Sequence, residues 1–322
     1  MTDRAVAASA PASPPARADA SSRPRGLAWA AIALAIFSGW FVVTRLGLAR
    51  QVDVMDVIAL RFAGGALLLG PLLLGRSYRL PPRAWRQGLV LSLFWGVPFA
   101  LLVSVGLKLT SAATAASITP TMTALFTGLV AWLTLGEVPS RWRLFGYACI
   151  VAGVVGLVVS EVPANGRIDP LGVAALVGAS ALWAMYTARF RAGTLSGVQA
   201  VALVSIISCA AFLPFYVGLG LSGLGALSFS ELALHALYQG VLMSVVAMVA
   251  YNRAVALLGA GGAAAVMALV PVMATAAAVP VLGEVPTLGT ALAICVIAPG
   301  VVLALAAPAR RAVRAPTGPH RP

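Results

Sequence analysis

Leu-Gly-Glu-Val-Pro at Leu135–Pro139 recurs letter for letter at Leu282–Pro286. The offset is 147 residues in a chain of 322. Each copy follows an apolar run with an internal proline, Pro120 before the first and Pro271 before the second. Each also precedes an apolar run that contains glycine. Gly-Glu followed by proline is a turn signal, so the pentapeptide marks a helix end at the same place in two halves. The distance from proline to glutamate is 17 residues in one copy and 13 in the other, about one helical turn of difference. Further upstream, Trp40 and Thr44 line up with Trp183 and Thr187 at an offset of 143. The chain therefore reads as an internal duplication.

The residues around the repeats are 61% hydrophobic and only 10% charged. An ordinary soluble domain carries about 25% charged residues, so a soluble globule of this size lacks the polar surface to cover itself. The fold class expected is an all-α polytopic membrane protein. A spanning helix needs roughly 20 mostly apolar residues, and ten such runs are found, near 27–47, 55–75, 88–107, 112–135, 142–160, 171–190, 198–217, 232–252, 262–282 and 287–306. This gives a disordered tail at 1–25, a five-helix repeat at 26–160, a connecting loop at 161–170, a second five-helix repeat at 171–306 and a basic tail at 307–322. Five is odd, so the second repeat enters the membrane inverted.

Net charge is +13, from 22 Lys and Arg against 9 Asp and Glu. The basic residues fall between apolar runs, which is how topology is encoded, and nucleic acid is not an expected partner. With the N-terminus inside, inner segments hold seventeen of the basic residues. Outer segments hold four: Arg45, Arg50, Lys108 and Arg167. The bias predicts a multi-pass inner-membrane protein with both termini cytoplasmic, and places the two pentapeptides on opposite sides. Two inverted halves suit alternating access, because they can exchange inward and outward shapes.

The features together are a Trp in the first helix of each half (Trp40, Trp183), a Pro in the fourth (Pro120, Pro271), and a Gly-Glu closing the fourth. Arg61-Phe62 in the second span and Tyr251-Asn252-Arg253-Ala254 at the end of the eighth add to them. The set resembles the EamA branch of the drug/metabolite transporter superfamily, from about residue 27 to 306. The resemblance implies a carrier for small metabolites, often an exporter of amino acids or related compounds. An exporter of lipophilic cations or drugs is the alternative.

An ionisable group inside a span is a functional candidate by default. No Asp or Glu is expected deep in a span; Asp56, Glu137 and Glu284 are read at helix ends and Glu231 in a loop. The four-helix multidrug relatives use an embedded Glu for proton exchange, and this chain has no equivalent. Arg61 is the one cation within a span. Its side chain either snorkels or caps carbonyls, or faces a cavity and draws a substrate carboxylate with its fork. The substrate pathway is placed at Trp40, Arg61, Trp95, Ser117, Thr119, Pro120, Thr121, Trp183, Tyr186, Gln239 and Pro271. Helix breaks at proline free carbonyls that can line a cavity. The hydroxyls beside Pro120 can instead bond back to their own helix.

Glu137 and Glu284 oppose the dipole of the helix they end, so a gating and structural role is expected, through an Arg or the next helix N-terminus. Asn252 reads as a cap on the eighth span, and Tyr238 and Tyr251 as interfacial aromatics. Gly146, Gly153, Gly156, Gly172 and Gly178 are expected to allow close helix packing. Cys149, Cys209 and Cys295 fit no metal or redox spacing, and no cofactor or metal is expected. His235 and His320 are too scattered for an intramembrane enzyme, so the chain is not read as an enzyme. The expected partners are a small-molecule substrate and the bilayer; the sequence is compatible with a homodimer.

Overall fold

In hydrocarbon every backbone N–H and C=O must find a partner within the chain, and a long apolar run meets that demand as a helix. The computed structural model describes residues 23–50, 52–74, 80–135, 137–165, 169–267, 269–306 and 310–311. The expected tails lie almost wholly outside these residues. In the first half, α1 (Arg23–Arg50) and α2 (Val54–Leu74) are followed by α3 (Pro82–Trp95) and α4 (Val97–Leu109), and then by α5 (Ala112–Leu135) and α6 (Arg141–Asn165). In the second half, α7 (Pro170–Ala192) and α8 (Gly197–Gly218) precede α9 (Phe229–His235). That helix passes through a π-helical segment, Ala236–Ala247, into α10 (Met248–Met267), α11 (Val270–Leu282) and α12 (Leu288–Ala306). The one strand pairing among the described residues joins β1 (Glu137–Val138) to β2 (Arg310–Arg311), antiparallel.

Helix ends follow local chemistry. Asp169 accepts from Leu171 N–H before Pro170 opens α7. Ser196 with Gln199, and Ser228 with Glu231, form capping boxes at the starts of α8 and α9. Glu231 therefore sits in the first turn of a helix rather than in a loop. Gly283, at φ 68°, closes α11 in the left-handed conformation open to glycine.

Eight helical runs among the described residues are long and apolar enough to cross a membrane, and α11 and α12 are shorter apolar helices. The run expected at 88–107 is longer, Pro82–Leu109, and it breaks at Gly96. Pro98 is the cause, since it has no N–H to give Phe94 C=O. The gap expected between residues 252 and 262 is absent: the helix continues to Met267, and α11 starts at Val270. Pro271 thus stands in the first turn of a new helix, where its missing N–H is not needed. Pro120 differs, because α5 runs through it.

The halves are interleaved. α1 packs on α10 and α11 of the other half, and α7 packs on α4 and α5 in return. α2 meets α8, and α6 meets α12. The contacts α2 to the π segment and α8 to α3 form another exchanged pair. The pattern maps onto itself when the halves are swapped. Val138 pairs with Arg310 at one end of the bundle, whereas Glu284 bonds Arg45 at the other. The two pentapeptides therefore lie at opposite ends.

Glycine lets two of these crossings close. A Cβ at Gly64 on α2 would overlap the Gly240 Cα, and one at Gly146 on α6 would meet Ala304 N and Gly300 O on α12. Gly153 and Gly172 also sit against neighbours, and Gly178 is looser. Gly156 has nothing within 4 Å, so its expected packing role is not found. The three cysteines are free.

Candidate functional site

Arg61 lies two turns into α2 and is 1% exposed. Its guanidinium carbon stands 5.2 Å from the Trp95 ring centroid, 5.5 Å from Phe99, 5.6 Å from Phe62 and 5.9 Å from Trp40. Aromatic faces attract a cation within about 6 Å. Both terminal nitrogens lack any hydrogen-bond partner. The side chain neither snorkels nor caps a carbonyl with those nitrogens. The reason is the ring wall: α1, α3 and α4 close around it before it can reach either end. A void of about 10 Å³, room for about one water, is lined by Arg61, Trp95, Tyr186, Ser205 and Ser244.

The two matched indoles are treated differently. Trp40 Nε1 donates to Gln239 Oε1 at 2.7 Å, and Gln239 Nε2 donates to Thr44 Oγ1 at 2.8 Å. Trp183 Nε1 has no partner, although its ring stacks on Phe37 at 5.4 Å and lies 5.0 Å from Trp95. The π segment explains Gln239. Ser244 Oγ lies 2.6 Å from Gln239 O, five residues back, and 2.5 Å from Arg61 O. One hydroxyl proton serves these two carbonyls, tying the widened turn to α2. Such π turns recur at functional sites.

Tyr186 stands 5.4 Å from Trp95, and its hydroxyl accepts a long bond from Asn252 Nδ2 at 3.4 Å. Asn252 is buried within α10 and also reaches Gly197 O, so it is not a helix cap. The helix simply continues past it. Tyr251 is likewise buried against Trp183, at 5.9 Å, rather than interfacial. Tyr238 is half-buried, with its hydroxyl over Gly39.

Carboxylates tie the halves together at the end bearing Glu284. Glu284 accepts from Arg45 Nε at 3.2 Å and from Ala112 N–H, at the start of α5, at 3.0 Å. Arg45 also reaches the carbonyls of Leu107 and Lys108. Buried Asp56 accepts from Tyr216 Oη at 2.5 Å and Gly223 N–H at 3.1 Å. Arg50 faces Glu231 at 3.7 Å. Glu284→Gln should lower stability in detergent by about 1 kcal/mol, because a charge-assisted pair is lost at a site only a quarter exposed. An unchanged melting temperature would dismiss that tie.

The opposite end holds a cavity, although Thr194 donates to Gln87 Oε1 across the halves there. A cavity of about 280 Å³ lies between α3 and α7, with Arg86, Gln87, Leu91, Arg189 and Phe190 in its wall. Leu91 is one turn before Trp95 on α3, and Phe190 one turn after Tyr186 on α7, with the Tyr186 and Phe190 rings stacked at 6.0 Å. The cavity therefore sits one turn below the Arg61 void along the same two helices.

Ser117, Thr119, Pro120 and Thr121 are buried but do not line that void. Ser117 donates to Ala113 O, Thr121 to Ser117 O, and Thr123 to Thr119 O, while Thr119 Oγ1 is unpartnered. Pro271 is buried on α11 and also stands apart from it. The Glu137 side chain lies outside the described residues. Sequence reasoning missed Phe99, Ser205 and Ser244. The Trp-Gly-Val-Pro-Phe stretch, Trp95–Phe99, carried the only available signal for Phe99: a break followed by an aromatic.

The sequence model of the EamA-like transporter family matches residues 24–159 and again 170–306. No curated protein matches the chain. Among solved structures, one described only as a crystal structure of a protein has a TM-score of 0.58 at 19% identity, over 86% of this chain and 95% of that one. At that identity the likeness concerns the fold alone.

Proposed function

The chain belongs to the EamA-like transporter family of membrane transporters, and from that premise we propose a ten-span, alternating-access carrier for small metabolites built from two inverted five-helix repeats. It sits in the inner membrane with both termini cytoplasmic, as the arginine bias suggests. The end bearing Glu284 then faces out and the end bearing Arg86 faces in. The shape is closed outside by the ties around Glu284 and Asp56, and entered from inside between α3 and α7. Export of carboxylate-bearing metabolites, the class that holds both amino acids and related organic acids, is the direction and class this reading favours.

One observation carries the reading: a fully enclosed guanidinium with two unpartnered nitrogens at the meeting point of the halves. A charge at such depth costs about 2.5–3.5 kcal/mol to insert, so it is retained for what it binds. Its fork matches a carboxylate. Trp40, Trp95, Trp183 and Tyr186 supply stacking walls, with Trp40 held by Gln239 and Tyr186 by Asn252. Glu137 and Glu284 act as gates at opposite faces, Glu284 through Arg45 and the start of α5. Ser117, Thr119, Pro120, Thr121 and Pro271 belong to the moving walls around the site. Lipophilic cations are poorer candidates, because Arg61 already occupies the ring faces that would hold them.

The test is sided labelling with transport. Val138→Cys and Val285→Cys should react with an impermeant maleimide from opposite faces, inside for the first and outside for the second. Purified protein in proteoliposomes should then exchange a labelled carboxylate substrate drawn from an amino-acid and organic-acid panel. Reaction of both cysteines from one face would end the inverted-carrier reading.

A further inference from the structure

The geometry points to an organic monocarboxylate lacking an α-ammonium group as the substrate class, drawn in by Arg86 and Arg189 and held by Arg61. This deepens the carrier reading and rests on it. An amino acid brings a carboxylate and an ammonium in equal measure, and a site built for it offers an acceptor for the second as well as a donor for the first. Here the donors are in excess. Arg61 presents two unpartnered nitrogens and Trp183 an unpartnered indole N–H.

The acceptors nearby are neutral and mostly used. Gln239 Oε1 takes the Trp40 N–H, and the Ser244 hydroxyl donates to backbone. Asn252 Oδ1 is unpartnered, but a neutral amide oxygen suits a hydroxyl or amide and does not balance a guanidinium. The ring faces that might hold an ammonium surround Arg61 instead. Asp56, five residues earlier on the same helix, is satisfied by Tyr216 Oη and by the Gly223 and Asp53 N–H groups and lines neither cavity. A bound zwitterion would leave the pocket with a net positive charge out of water, whereas a monoanion leaves it neutral.

The mouth repeats the sign. Arg86 and Arg189 share the wall of the 280 Å³ cavity, and neither has a carboxylate partner among the described residues. Leu91, Phe190 and Leu195 line the same wall, so the charges stand beside apolar surface. One turn further along α3 and α7 come Trp95 and Tyr186, and then Arg61. Cations at the entrance and at the end, with no carboxylate among the described residues lining either cavity, raise the local concentration of anions.

Matched pairs test this directly in the full-length protein in detergent. 3-Phenylpropionate is compared with phenylalanine, 4-methylpentanoate with leucine, and propionate with alanine, by thermal stabilisation, since a ligand that binds the folded state raises the melting temperature. In at least one pair the acid should stabilise at a concentration tenfold or more below its amino acid. Arg86→Gln with Arg189→Gln should slow acid association severalfold at low salt and leave little difference at high salt, as expected for steering by exposed charges. An amino acid that binds as well as its acid overturns the inference and leaves the carrier reading standing. Silence from all three acids overturns it too, while the labelling of Val138→Cys and Val285→Cys judges the carrier separately.

Discussion

Arg61→Ala should abolish carboxylate transport while leaving the amount and the melting temperature of the protein nearly unchanged. The two effects have separate causes. Losing a bidentate, charge-assisted contact costs the bound state roughly 3 kcal/mol, about a hundredfold in affinity. The unliganded protein gives up much less. Arg61 is enclosed with two nitrogens unbonded, so its removal relieves a buried cation that only the surrounding ring faces offset. The void left among Trp40, Phe62, Trp95 and Phe99 offsets that relief. Transport in proteoliposomes and a thermal melt of the same preparation provide the check. Wild-type transport by a stably folded variant removes Arg61 from the site. A large drop in melting temperature together with lost transport would make it a packing residue instead.

Gly64→Val should destabilise by about 3 kcal/mol or more and lower the yield of folded protein. At this crossing α2 meets the π segment backbone to backbone, and an added Cβ falls on the Gly240 Cα. A flexible side chain can turn aside, but a main chain can yield only by moving a helix, which places the site near the costly end of overpacking. Gly70→Val on the same helix, where nothing lies within 4 Å, should melt close to wild type. Equal melting temperatures for the two variants would mean that the crossing is looser than described.

The repeat and the deep cation were legible in the sequence for a physical reason. Apolar length, turn residues and charge are properties of single segments. The pentapeptides, the matched Trp40 and Trp183, and Arg61 could be seen without knowing which helix touches which. What needed the third dimension was partnership. Ser117 and Thr121 have the polarity of a cavity wall, yet they spend their hydroxyls on their own helix, and Thr123 divides its hydroxyl between its own helix and Ser180 O on α7. Asn252 looked like a cap because the apolar run appeared to end there, and continuous helix to Met267 buries it instead. Ser244 was missed because a π turn shifts the 3.6-residue period and brings residues five apart together. The break at Gly96 was present in Pro98, but an apolar run hides a proline that costs it no hydropathy.

Gln239 quiets one indole of a matched pair and leaves the other unsatisfied. Duplication alone would give a chamber with interchangeable walls, in which a guest could lie head to tail or tail to head at equal energy. Gln239 breaks that degeneracy at the indoles, as Arg61, found in one half and not the other, does on α2. A guest held between the two indoles is then expected to take one preferred heading, even though the shell of helices around it is nearly ambidextrous.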